Sequence, residues 1–228
     1  MNETLMLAIV LIPSLVIAIV FHEVAHGWVA NALGDPTAKE SKRLSLNPIR
    51  HVDPLGTLIV PGVLALTGAP VFGWAKPVPV NFRRLDNPRY GMMAVAAAGP
   101  GTNFILAVIG AVLLGLMARG LSAPPEGVLA LLLTGLNYFI LINIFLALFN
   151  LLPLPPFDGS HIVEGLLPRA AARQYNKLRP FGLPLLFLLL LVLPMLFPSL
   201  GLIEKVVLPP VEWARGYFMD IALAVAGG

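Results

Sequence analysis

The sequence predicts an all-α polytopic membrane protein. It comprises about four transmembrane helices, a re-entrant or fifth hydrophobic segment, a small β element at the membrane surface and a C-terminal interfacial helix. Three observations carry this. First, of 228 residues 57% are hydrophobic and only 12% charged, whereas a soluble domain carries about 25% charge. Burying the surplus would need an interior larger than this chain can enclose. Second, the charges are grouped so that five stretches carry none: Thr4–His22, Pro54–Ala75, Tyr90–Ala118, Gly127–Phe157 and Pro180–Ile203. All are close to or above the ~20 residues a spanning helix needs. Third, the basic residues are unevenly placed along the chain. This composition excludes an ordinary soluble enzyme, a disordered chain and a nucleic-acid-binding domain. With no cysteine, disulfides, thiolate metal sites and thiol nucleophiles are excluded as well.

The first stretch continues as an apolar helix past His26 to Leu33. Glu3 is its only early charge, so it lacks the basic start of a cleavable signal peptide. The second contains Pro54, Gly56, Pro61, Gly62, Gly68, Pro70 and Gly73, a poor recipe for a continuous helix. Charge placement decides how to treat it. If it does not cross and the other four do, Lys39, Lys42, Arg43, Arg50, Lys76, Arg83, Arg84, Arg89, Arg169, Arg173, Lys177 and Arg179 share one face. Only Arg119, Lys205 and Arg215 are left opposite. Leu55–Phe72 is therefore read as re-entrant or interfacial, where irregular backbone must be shielded by protein or line a wet cavity. Its flanks, Thr37–Asn47 and Trp74–Phe82, mix β-branched, polar and proline residues. They read as extended strands that pair as a small sheet with an open edge.

The remaining stretches supply three more spans, the last being Pro180–Ile203. In Val211–Ala226, Glu212, Arg215, Gly216 and Asp220 share one arc, and Trp213, Tyr217, Phe218 and Ile221 lie largely opposite. That pattern fits an interfacial helix, with Leu223 against it. No repeat or linker divides the chain. Residues 1–228 read as one domain, with a core at about 5–165 and C-terminal helices over 180–226.

Charge inside a spanning helix is costly and marks function. The first span holds His22-Glu23-Val24-Ala25-His26, an HExxH pattern. Residues i and i+4 share a helix face, so both imidazoles can meet one metal ion. Glu23, roughly 100° further round, reaches a metal-bound water. Neutral nitrogen ligands beside a proton-accepting carboxylate suit zinc. A chance match arises in roughly one chain in a hundred of this length. An unpaired Glu in the span would also cost about 2.5–3.5 kcal/mol. A catalytic zinc needs a third protein ligand, and Asp158 is the outstanding choice. It follows an outside-to-inside span, as the histidines end one, so all three fall toward the same, cytoplasmic side. Pro153, Pro155 and Pro156 break the helix and Gly159 frees the backbone, allowing the chain to turn back.

HExxH in a first span, followed much later by Asn150-Leu-Leu-Pro-Leu-Pro-Pro-Phe-Asp-Gly159, resembles the site-2 protease family of intramembrane zinc metalloproteases (peptidase M50). Ser45-Leu-Asn-Pro48, His51-Val-Asp-Pro-Leu-Gly56, Gly73-Trp-Ala-Lys-Pro-Val-Pro-Val80 and Ala98-Gly-Pro-Gly-Thr-Asn103 resemble its compact prokaryotic branch, without PDZ or CBS modules. The resemblance covers about residues 7–165. It implies one Zn²⁺ per chain held by His22, His26 and Asp158, with Glu23 as the catalytic base. It also implies single-pass membrane substrates, such as anti-sigma factors or signal-peptide remnants, cut in the prokaryotic plasma membrane. Two positions depart from the family pattern: Phe157 where Leu is common, and Ser160 where a second Gly is common.

Asn103 and Asn150, amides in apolar spans, are read as substrate or oxyanion donors against the alternative of interhelical hydrogen bonding. Asn143 is read as structural, His51 as a residue that organises its loop, and His161 as support for the site at most. Arg169, Arg173, Lys177 and Arg179 are read as facing anionic lipid. Two competing readings are a proton or metal transporter and a catalytically silent zinc-binding scaffold. The first is weakened by the lack of polar residues in Tyr90–Ala118 and Pro180–Ile203. The second is weakened by Glu23, which no ligand role requires.

Overall fold

The fold was analysed in a computed structural model, which describes residues 3–67, 73–121, 123–197, 201 and 203–227. Three helices are long and apolar enough to cross a membrane: α1 (Glu3–Ala32), α4 (Pro88–Ala118) and α5 (Gly127–Asn150). They pack on one another through small residues. In α4, Ala107, Gly110, Ala111 and Gly115 form a stripe at three- and four-residue spacing. A Cβ on Gly110 would lie 2.9 Å from Ile140 of α5. With no hydrophobic force between helices in lipid, such close backbone approach is what holds a bundle together. Ala107, Ala111, Leu114, Leu133, Ile140 and Ile144 form its apolar centre.

The expected β element does not form: no strand occurs among the described residues. Thr37–Glu40 is instead a short helix, α2, and 73–81 has no regular structure. Pro77 and Pro79 carry no N–H, so the segment can offer no ladder. The intervening apolar run begins as a π-helix, Pro54–Ile59, and continues as α3 (Val60–Thr67). Its two ends lie side by side. Trp74 N–H donates to the Gly56 carbonyl (3.0 Å), and Thr57 Oγ1 donates to the Trp74 carbonyl (2.9 Å). The indole covers the face of Gly56 where a Cβ would stand. The sequence expectation for Leu55–Phe72 extends over 68–72, which lie outside the described residues.

After α5, the chain turns through Pro153–Phe157 into α6 (Asp158–Leu166) and α7 (Arg169–Tyr175). The stretch 180–203, expected as a fourth span, is divided. Asn176–Phe181 is a 3-10 turn, then α8 (Gly182–Phe187), a π segment (Leu188–Val192) and α9 (Leu193–Leu196) follow in unbroken succession. The run 182–196 rises about 22 Å, short of the roughly 30 Å of a bilayer core, and it carries Pro184 and Pro194. A second π segment, Ile203–Val207, leads into α10 (Leu208–Ala226).

Helix α10 packs on the bundle through its small residues. Val211, Ala214 and Ala222 are its buried residues and join the α4–α5 core. Trp213 and Tyr217, on the apolar arc of the sequence reading, are 69% and 56% exposed and meet edge to face. Phe218 stacks on Phe104 (6.4 Å), and Ala222 and Val225 crowd Gly115. The contacts fall in the same order along both helices, so α10 runs alongside α4 in the same sense.

Candidate metal centre

The site forms where α1, α4 and α6 meet. His22 and His26, one helical turn apart, present their rings edge to face at 4.7 Å. Asp158 Oδ2 lies 3.1 Å from His22 Nε2 and 3.3 Å from His26 Nε2. The three ligating atoms lie within 4.8 Å of one another. No other cluster of metal-ligating side chains occurs among the described residues.

Each imidazole is turned by a bond from its far nitrogen. The Val95 carbonyl can only accept, so His26 Nδ1–H donates to it (2.7 Å). Asn103 Nδ2 donates to the Ala18 carbonyl (3.2 Å), which fixes the orientation of that amide. Its Oδ1 then accepts from His22 Nδ1–H (2.6 Å). Both rings are therefore Nδ1–H tautomers, and both Nε2 lone pairs point at Asp158. Asp158 Oδ2 is buried and accepts no hydrogen bond. Two ring nitrogens, each a lone-pair donor when its Nε2 is unprotonated, converge with a carboxylate oxygen. That donor set fits a divalent cation, and zinc in particular.

The support is built deep into the bundle. Asn103 and Asn143 are fully buried. Asn143 Nδ2 donates to the Phe139 carbonyl (2.8 Å), and its Oδ1 accepts from Asn103 Nδ2 (2.8 Å). Three helices are thus joined through a chain of amides ending on His22. A Cβ on Gly99 would lie 2.6 Å from both imidazoles, so only glycine leaves them room. Glycine inside a helix costs about 1 kcal/mol against Ala. The pair Gly99-Pro100 in an apolar span was therefore a readable sign of close approach.

Asp158 is delivered by a sharp return of the chain. A Cβ on Gly159 would strike the carbonyls of Leu151 and Leu152. Arg89 ties the far end of α6 to α4 by donating to the carbonyls of Gly165 (2.9 Å) and Leu167 (2.7 Å). The two departures from the family pattern fit locally. Phe157 meets Phe149 edge to face, and Ser160 Oγ donates to the Phe157 carbonyl (2.7 Å).

Glu23, His22, His26 and Asp158 open onto a cavity of about 930 Å³, which Asn150 also lines. Glu23 Oε2 accepts from Val78 N–H (2.8 Å), the one donor between Pro77 and Pro79. Asn150 spends one N–H on the Leu146 carbonyl (2.9 Å) and keeps the rest of its amide. Asn103, paired with Asn150 in the sequence reading as a substrate contact, is a correction. It lies behind His22, with no exposed surface and both polar atoms engaged. His51 stays with its loop, its Nε2–H donating to the Ser45 carbonyl (2.7 Å). His161 lines the cavity, and its Nδ1 accepts from Arg179 (2.9 Å). Burial and Arg179 lower its pKa, leaving a neutral ring with its proton on Nε2. Sequence reasoning missed Val78, Gly99 and the link through Asn143.

The model of peptidase family M50 matches residues 126–193. A Bacillus subtilis protein named "Putative zinc metalloprotease YwhC" is 43% identical over 190 residues, covering 81% of each chain. Proteins of Mycolicibacterium smegmatis and Mycobacterium tuberculosis, both named "Putative zinc metalloprotease Rip2", are each 28% identical. They align over 82% and 80% of this chain and 68% and 67% of their own. No solved structure gives a significant match.

Proposed function

Given that the chain belongs to peptidase family M50, we propose that it is an intramembrane zinc metalloendopeptidase. It hydrolyses peptide bonds within or near the transmembrane segment of single-pass membrane proteins. The observation that carries this is the convergence of His22, His26 and Asp158 at the floor of a cavity shared with Glu23. Zinc held by those three side chains supplies Lewis-acid polarisation of a water and of the scissile carbonyl. Glu23, which is not needed as a ligand, takes the water's proton and later delivers it to the leaving amine. Asn150 faces the same space with free amide capacity and is positioned to donate to the developing oxyanion.

The uneven distribution of bases supports a site toward the cytoplasmic side, where water enters through the cavity. The adjacency of Gly56 and Trp74 supports reading Leu55–Phe72 as re-entrant or interfacial. A helical substrate must unwind to expose its carbonyls.

The test is Glu23→Gln in the zinc-loaded protein with a membrane-anchored substrate. Zinc is expected to stay at one per chain while cleavage is lost. Retained cleavage would remove Glu23 as the base. Bound zinc with no cleavage of any single-pass substrate by the native protein would favour a scaffold.

A further inference from the structure

The cavity differs in charge between its floor and its mouth. Toward the mouth it is lined by Arg89, Arg169, Arg173 and Arg179. Glu164 is the one carboxylate among them, and Arg179 pairs with it. Arg89 donates to carbonyls, which leave its charge uncompensated. Arg169 and Arg173 stand one turn apart on α7, and no carboxylate lies within ion-pair distance of either among the described residues. Like charges at i,i+4 destabilise a helix, so this pair works against the local structure. The remaining exposed residues of α7, Ala170, Ala171 and Gln174, are uncharged and do not line the cavity. The two arginines of α7 thus line the cavity, while its other exposed residues do not.

Resting on the proteolytic reading above, we propose that this mouth binds acidic side chains flanking the substrate's membrane segment. A cleft of one charge sign focuses its field and selects partners of the opposite sign. It also rejects Lys- and Arg-rich flanks, which are the usual cytoplasmic neighbours of membrane segments and of signal peptides. Specificity then comes from repulsion as much as attraction. Anionic membrane regulators become better substrates than signal-peptide remnants.

The experiment uses three single-pass substrates with one membrane segment and flanks of Glu, Ser or Lys. Cleavage by the native zinc-loaded protein is expected to rank Glu over Ser over Lys, spread about tenfold at low salt and compressed at high salt. In R169E/R173E the Glu-to-Lys ratio should invert. That ratio is read within one preparation, so partial misfolding cancels. Binding of the same flanks as labelled peptides to Glu23→Gln protein gives a readout without cleavage. Equal cleavage of the three substrates, or a ratio unmoved by charge reversal, overturns the proposal. A change seen only in anionic-lipid vesicles and equal for every flank assigns the arginines to the membrane, and overturns it too. Charge-dependent binding without any cleavage would instead overturn the proteolytic reading and leave this one standing.

Discussion

The two walls of the candidate metal centre are built by opposite means. The wall of α1 and α4 holds His22 and His26 with buried amide and carbonyl bonds to Asn103 and Val95, behind a glycine that admits no side chain. The wall of α6 and α7 holds Asp158 and His161 with the Arg179–Glu164 pair, a Tyr175 hydroxyl on the Pro153 carbonyl, and Arg89 on two carbonyls, all partly open to solvent. Buried bonds are costly to break because the abandoned partner stays dry. Exposed pairs are cheap because water replaces them. The difference separates a fixed half, which sets ligand geometry, from an adjustable half, which borders the entrance. The cost of mutation should follow that division.

The largest effect tests the fixed wall where it has no slack. Gly99→Ala introduces a Cβ 2.6 Å from both imidazoles, so the rings or α4 must move. We expect zinc affinity to fall by about 100-fold or more, with activity lost, because such outer contacts are worth 10–100-fold even without a clash. Zinc titration with helicity monitored alongside checks this. A variant that binds zinc normally would show that the rings have room to give.

Next is Asn103→Ala, which frees His22 Nδ1–H and strands Asn143. Zinc affinity should drop about 10–100-fold. Asn143→Ala should cost less, and the double variant less than the sum, since both act through one chain of bonds. Strict additivity would mean that the chain does not act as a unit.

These effects also mark what the sequence could disclose. His22, Glu23 and His26 are legible because their geometry is local to one helix, and Asp158 because carboxylates are so scarce. Gly99 facing two histidines, or Asn103 facing His22, depends on how three apolar helices rotate against each other. In an all-apolar span no periodicity marks the buried side. The same ignorance leaves the packing side of α10 unread, since the arc of Trp213 and Tyr217 reads only as that of an interfacial helix. The small residues Val211, Ala214 and Ala222 pack instead, because they allow close approach. Residues 180–203 read as a span on composition, and the described helical run 182–196 covers only part of that stretch, with 198–200 and 202 outside the described residues. The apparent strands failed because alternation in 76–80 comes from prolines that cannot donate.

A third prediction concerns the loop over Glu23. Asp35 is fully buried just after α1. It accepts from Asn81 N–H (2.6 Å), from Thr37 N–H (3.0 Å) and from Thr37 Oγ1. Burial would push its carboxyl up, but these bonds, with help from Arg84, outweigh it and hold it below the usual range. A carboxyl lowered on folding stabilises the protein above its unfolded pKa of about 3.9. That contribution is lost as pH falls through the folded value. Asp35→Asn should therefore destabilise by about 1–3 kcal/mol at pH 7, and loosen Val78 from Glu23 for a several-fold loss of activity. The stability gap should close below about pH 4. A gap independent of pH would assign the effect to packing alone.

The smallest effect belongs to the adjustable wall, and it is the one best able to break the comparison. Glu164→Gln removes the charge opposite Arg179 while keeping an acceptor for Asn176. If this wall is held by exchangeable surface pairs, stability should change by only about 0.2–1 kcal/mol. Cleavage should change by about threefold or less, and the change should vanish in high salt. It should also favour acidic flanks slightly, since one competing carboxylate leaves the mouth. A salt-independent loss as large as that of Asn103→Ala would mean that α6 is fixed as rigidly as α4. The entrance would then have no freedom to adjust to what passes through it.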